Sequence, residues 1–470
     1  AHLRRARDAN SSSKPTLPSS LTTTPVHTAP LPPASSGIRL DPDINICQTD
    51  LPLDWYQAEF KPYAEEYMRL PDRKPGTVLP WLDKYAGPAL EHFGDSLLLV
   101  AHFYMGGEIV KLVERYGGAV SDSYQLALQA ARNPNKKVIV ESAVHFMAES
   151  IAILANPDQS VWITNPKAGC TMEMLAKDYM VEPVAEQLIE RYGDDLTVIA
   201  YMNTGGRIKA LAGRTGGAVC TSSNAPKVVE WARRQGKKIL FVPDQHLGRN
   251  TAYKLGMDLS KVVALPDPQV ARGAIKLSDK SIEGGLASLD RAEMILWGSY
   301  CGVHTVFSPA QVDYWRARGY TVLVHPESKL EVVQAADGSG STNFLWEAVM
   351  KAAPGAKLAI GTEGHFVKNA REQGRQRGVE VVHLADIPDP AFHSMGCGCA
   401  TMSRNDPPHL AGLLDLLRQG KAPAINRVYA GDVVDEHSGA LDRKQDSERA
   451  VLVRHARAAL QRMIDITEAK

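Results

Sequence analysis

The sequence has no surplus of either charge: Lys plus Arg and Asp plus Glu both number 53, for a formal net charge of zero. A neutral chain without a basic stripe or polybasic tail offers little to a phosphate backbone, so no nucleic acid partner is expected. Long apolar runs are also missing. None reaches the ~18 residues that a membrane-spanning helix needs, so no membrane association is expected. Cysteine is scarce, six in 470 residues. That excludes a disulfide scaffold and suits metal-binding or catalytic thiols in a reducing, cytoplasmic compartment. Cys47 and Cys220 read as small buried hydrophobes.

What the chain does have is an ordinary globular composition, 44% hydrophobic and 23% charged, with length enough for several domains around a large core. Residues 1–38 are rich in Ser, Thr and Pro and poor in large apolar side chains, so they are expected to form a disordered tail. Residues 39–90 carry helical patterns expected to pack against the first domain. From Ser96 the chain repeats itself. Each unit opens with a strand, at Leu97, Leu196 and Thr321, followed by a helix. A hydroxyl-rich turn comes next: Ser121-Asp122-Ser123, Thr221-Ser222-Ser223 or Gly340-Ser341-Thr342. A helix, a third strand, another helix and a strand leading into a cysteine loop complete the unit. Short strands alternating with helices imply parallel βαβ units. The fold class expected is therefore α/β, with three similar Rossmann-like domains over 91–182, 183–308 and 309–405 in a pseudo-threefold arrangement around one central site. Residues 406–470 form a C-terminal helical cap, and the excess segment 256–290 reads as a surface elaboration.

Ligands of open parallel sheets bind beyond the C-terminal strand ends, and the unusual polar residues fall there. Three cysteine loops, at Cys170, at Cys301 in WGSYCGVH, and at Cys397 with Cys399, suit a soft-metal centre. Three thiolates on a four-iron cluster would leave one iron open as a Lewis acid. Zinc is the competing reading, with Cys301, His304, Cys397 and Cys399 as a Cys3His set; buried thiols are a third. The hydroxyl turns can cap helices, bind anions, or do both. His102, Tyr104, Tyr201, Asn203, His325 and Glu327 follow the first strands of the units and offer acids, bases and hydrogen-bond donors. His145, His246 and His365, after the third strands, read as structural.

These motifs, in order, resemble the quinolinate synthase family. They include AHFYMGGEI, SDSYQLA, VIVESAVHFMAES, YMNT, VCTSSNA, PDQHLGR, WGSYCGVH, IGTE and CGCATM, spread over about Ser96 to Pro408. The resemblance implies a reaction of de novo NAD biosynthesis: iminoaspartate and dihydroxyacetone phosphate condense to quinolinate, losing phosphate and water. It implies a [4Fe-4S] cluster on Cys170, Cys301 and Cys399, and substrate binding by His102, Ser123, Tyr201, Met202, Asn203, Ser222, His325, Pro326, Glu327 and Thr342. Tyr104, His325 and Glu327 take catalytic roles, with Glu327 as the base. A partner enzyme supplying iminoaspartate is a further expectation. Another open-iron hydro-lyase, or a non-enzymatic iron–sulfur or zinc scaffold, is the alternative.

Overall fold

The computed structural model describes residues 40, 50–271, 275–389, 398–435 and 438–469. The expected disordered tail, Cys47 and Cys397 lie outside them.

Three parallel sheets dominate the chain. The first is built from β1 (Leu97–His102), β2 (Ala119–Ser121), β3 (Val138–Ser142) and β4 (Ser160–Ile163). The second holds β5 (Leu196–Tyr201), β6 (Ala218–Cys220), β7 (Lys238–Val242), β8 (Val262–Ala264) and β9 (Met294–Leu296). The third holds β10 (Thr321–Val324), β11 (Gly338–Ser339), β12 (Lys357–Gly361) and β13 (Glu380–His383). Their strand orders are β2-β1-β3-β4, β6-β5-β7-β9 and β11-β10-β12-β13, the same order three times. This is the repeat legible in the sequence. Every residue of β1 and β5 is buried, as expected when helices cover both faces of a parallel sheet.

The short strands β2 and β6 depend on paired glycines. Gly117 and Gly216 each turn the chain after a helix at a φ of 68°. Gly118 and Gly217 then bring the backbone so close to β1 and β5 that a Cβ would lie 2.3 Å from the Leu99 carbonyl oxygen and 1.8 Å from that of Val198. Three residues are too few to show as a strand in the sequence, so these segments read there only as turns.

The excess segment corrects the expectation of a surface elaboration. Val262–Ala264 adds an edge strand, β8, parallel to β9, and Ile275, Ile282 and Leu289 are buried. Helices Lys61–Met68 and Pro75–Phe93 pack on helix Pro407–Arg418, and the second also meets helix Gly107–Arg115. Past that cap, β14 (Arg427–Val428) pairs antiparallel with β4. Helix Asp446–Glu468 lies along helix Gly206–Arg214 and β6. Among the described residues no helix is long and apolar enough to cross a membrane.

Candidate active site

A cavity opens at the C-terminal ends of the sheets, lined by residues from all three. From the first come His102, Tyr104, Ser123 and Cys170; from the second, Tyr201, Asn203, Ser222, Cys301 and His304; from the third, His325, Glu327, Thr342 and Glu363. Cys399, from the loop after β13, completes the set of thiols. The lining contains no Lys or Arg among the described residues.

Met202 and Pro326 do not reach the cavity. Each stands between two residues that do, Tyr201 and Asn203 or His325 and Glu327. Both lie just past a strand end, Met202 in a bend and Pro326 in a turn. Met202 is fully buried and its Sδ accepts a hydrogen bond from Ser150 Oγ at 3.3 Å. The carbonyl of Pro326 accepts from Asn250 Nδ2 at 2.8 Å, beside a separate cleft.

Two of the three histidines that line the cavity among the described residues are held alike. His102 Nδ1 accepts the Tyr104 N–H at 3.2 Å, and His325 Nδ1 accepts the Glu327 N–H at 3.4 Å. Each ring proton is thereby fixed on Nε2, which is left as a donor. Burial lowers the pKa of His102 to about 4, against the pull of Glu363. Burial, helped by His304 and His102, lowers that of His325 to about 3. Both imidazoles are neutral donors at physiological pH.

Glu327 is the hub of a buried network. Its Oε1 accepts from the Tyr201 hydroxyl at 2.6 Å, and its Oε2 lies 2.8 Å from His304 Nδ1. Burial acts to raise its pKa, but His304 and His325 and the two hydrogen bonds outweigh that and hold it at about 2. From His304 the network continues: Nε2 lies 3.0 Å from Thr362 Oγ1, which lies 3.3 Å from the Tyr104 hydroxyl. Tyr104 also meets Thr342 Oγ1 at 3.0 Å. Burial pushes the Tyr104 phenol well above its usual range, so it stays protonated. Sequence reasoning placed His304 only in a zinc set and left Thr362 out. Their signals were the His three residues past Cys301 and the Thr of IGTE, but their connection exists only in three dimensions.

The hydroxyl turns face the cavity with Ser123, Ser222 and Thr342. Asp122 Oδ1 and Ser341 Oγ cap the first and third helices, accepting the N–H of Gln125 at 3.0 Å and of Phe344 at 3.4 Å. In the second turn Asn224 Oδ1 accepts the Thr221 N–H at 2.6 Å.

The residues fit a thiolate-held metal centre. Cys170, Cys301 and Cys399 are free, half-buried and on one cavity. Burial, then the neighbouring Cys399, push the Cys170 thiol up. Burial, then Glu327 and the other two thiols, do the same to Cys301. Sulfurs that raise one another's proton affinity are relieved by a cation. The zinc set read from the sequence includes Cys397, which lies outside the described residues. Cys301, His304 and Glu327 do bring ligand atoms within 4.8 Å of one another, but both ring nitrogens of His304 are engaged, and Cys170 shares the cavity that this set ignores. A second group, His145, Glu149 and Glu173, lies away from the cavity. There the buried Lys209 supplies the opposite charge to both carboxylates, and the backbone N–H groups of Gly206 and Gly431 each donate to Glu149 at 2.6 Å. This is a structural network, as is the His365 Nδ1 contact to Glu363 at 2.9 Å.

The family model of the quinolinate synthetase A protein, NadA, matches residues 90–439. The chain belongs to the quinolinate synthase family. The quinolinate synthase of Geobacillus kaustophilus is 39% identical over 365 residues, 77% of this chain and 92% of that protein. The quinolinate synthase of Corynebacterium glutamicum is 36% identical over 408 residues, 86% and 91% of the two chains. That of Streptomyces coelicolor is 37% identical over 390 residues, covering 82% and 93%. The matched family region spans all three sheets and therefore every element that lines the cavity.

Proposed function

We propose that this chain is a quinolinate synthase, a transferase that condenses iminoaspartate with dihydroxyacetone phosphate to quinolinate, phosphate and water in cytoplasmic NAD biosynthesis. The observation that carries the reading is the convergence of three thiols, two neutral histidines and the Glu327 network on one cavity. We further propose that each sheet marks one domain, at 91–182, 183–308 and 309–405, around that shared site.

Cys170, Cys301 and Cys399 would hold a [4Fe-4S] cluster. When bound, it supplies an iron without a protein ligand, a Lewis acid toward a substrate oxygen. Everything else falls to the chain. The Nε2–H groups of His102 and His325, with Ser123, Ser222, Thr342 and Asn203, bind the carboxylate and phosphate oxygens without a fixed positive charge. A lining free of lysine avoids a stray Schiff base with the triose. Tyr104, kept protonated by burial, donates a proton to a departing hydroxyl, and Thr362 and His304 return one from behind. Glu327 stays a carboxylate and stabilises the proton released during cyclisation as that proton passes to His304. An enzyme producing iminoaspartate must act just upstream, because an imine hydrolyses in water.

The test is a product assay on anaerobically prepared protein. Quinolinate from the paired substrates supports the proposal. Cluster-bearing protein that yields none would point to another open-iron hydro-lyase.

A further inference from the structure

The second and third sheets share a device not absorbed by the chemistry above. Two residues past β7 stands Asp244, and two residues past β12 stands Glu363, 0% and 1% exposed. Each uses one oxygen to cap the helix that follows. Asp244 Oδ1 accepts the Leu247 N–H at 2.7 Å, and Glu363 Oε2 accepts the Phe366 N–H at 2.9 Å. The other oxygen reaches a cysteine loop. Asp244 Oδ2 accepts the N–H of Cys301 at 3.0 Å, and Glu363 Oε1 accepts that of Cys399 at 2.9 Å. The same position in the first sheet is Val144, which has no side-chain cap to offer.

A helix cap alone does not need this residue type. Ser or Asn caps as well without the penalty of burying a charge. At both places the second oxygen is used as well, that of Asp244 by Cys301 and that of Glu363 by Cys399 and by His365 Nδ1 at 2.9 Å. We propose that Asp244 and Glu363 are positioning residues for the cluster, a proposal that rests on reading the three thiols as its ligands. They fix two of the three cysteine loops. They also engage the Cys301 and Cys399 N–H groups, which are then unavailable to the sulfurs. Fewer hydrogen bonds to sulfur lower a cluster's reduction potential. The pair therefore holds the centre in its oxidised, Lewis-acidic state.

The test uses anaerobically reconstituted full-length chain. Asp244→Asn and Glu363→Gln keep a cap acceptor and remove the second one; Asp244→Glu and Glu363→Asp keep both, as the two sheets themselves exchange these residues. Midpoint potential and the rate of iron loss to a ferrous chelator are measured, with the thermal midpoint of the cluster-free chain as the folding control. The amide variants should shift the potential upward and lose iron roughly 10- to 100-fold faster, the range for an outer partner of a metal ligand. The carboxylate variants should stay near the wild-type potential. Failure of an amide variant to take up iron, with the cluster-free chain melting normally, also supports the positioning role. Wild-type potential and iron retention in both amide variants would overturn the inference alone. Wild-type chain that assembles no cluster would overturn both it and the reading beneath it.

Discussion

His304 and Glu327 join two sheets. His304 follows β9 and Glu327 follows β10, yet Nδ1 and Oε2 lie 2.8 Å apart, and the His304 ring stacks on His325 with centroids 4.4 Å apart. The carboxylate's other oxygen holds Tyr201, also from the second sheet. Glu327 thus fixes the tautomer of His304 and the orientation of Tyr201 together.

Glu327→Gln should cut turnover by at least ~100-fold, the lower range for a lost acid–base group. An amide cannot accept from both Tyr201 and His304, so one of them is left facing a donor. Iron content should be unchanged and KM should move far less than kcat. Anaerobic steady-state kinetics with iron analysis checks this. Near-normal turnover would remove Glu327 from the mechanism.

Cys301→Ala should lose cluster and activity together if Cys301 is one of the three proposed ligands. Cys397→Ala should keep both. Iron and sulfide analysis of the two variants is the check. A colourless Cys397 variant would transfer the ligand role from Cys399 to its neighbour.

Acid should remove the stability that the two neutral histidines hold in the cluster-free chain. His102 and His325 have folded pKa values of about 4 and about 3, against an ordinary 6.5. Below 6.5 the unfolded chain takes up protons that the folded chain refuses. The stability is complete above that pH and falls as pH drops toward about 4. At pH 5 each imidazole should remove ~2 kcal/mol. Urea unfolding at pH 7.5 and 5.0 measures the loss, and His325→Gln should lose less than wild type. Glu327, held at about 2, adds its own loss only below its ordinary value of 4.5.

Gly213→Ala tests how the C-terminal helix is seated. A Cβ there would lie 2.0 Å from the backbone oxygen of His455, in helix Asp446–Glu468. Overpacking of this kind costs ~1–3 kcal/mol. The same helix ends beside the second hydroxyl turn, where Asn224 Nδ2 donates to Thr467 Oγ1 at 2.8 Å. Lower stability in urea with a raised KM is expected. An unchanged unfolding midpoint would mean the helix is not held there.

The sheets were legible because β1, β5 and their counterparts are unbroken aliphatic runs bounded by Gly and polar residues. Site residues were legible where they sit at strand ends. The side chains of Met202 and Pro326 lie off the cavity because the chain bends or turns there, past the strand ends. The edge strand β8 was hidden because Val262–Ala264 is too short to announce itself. Asp244, Glu363, Thr362 and the true partners of His304 were hidden for another reason. Each acts by a contact between segments remote in sequence, and a single chain of letters carries no trace of those distances.

The most direct test of the central claim, a cluster held by Cys170, Cys301 and Cys399 with one iron left open, is Mössbauer spectroscopy of anaerobically purified protein with and without quinolinate. The account predicts about four iron and about four sulfide per chain, with the signal of a single iron site changing when quinolinate is added. Stoichiometric zinc, or four irons that all ignore quinolinate, would contradict it.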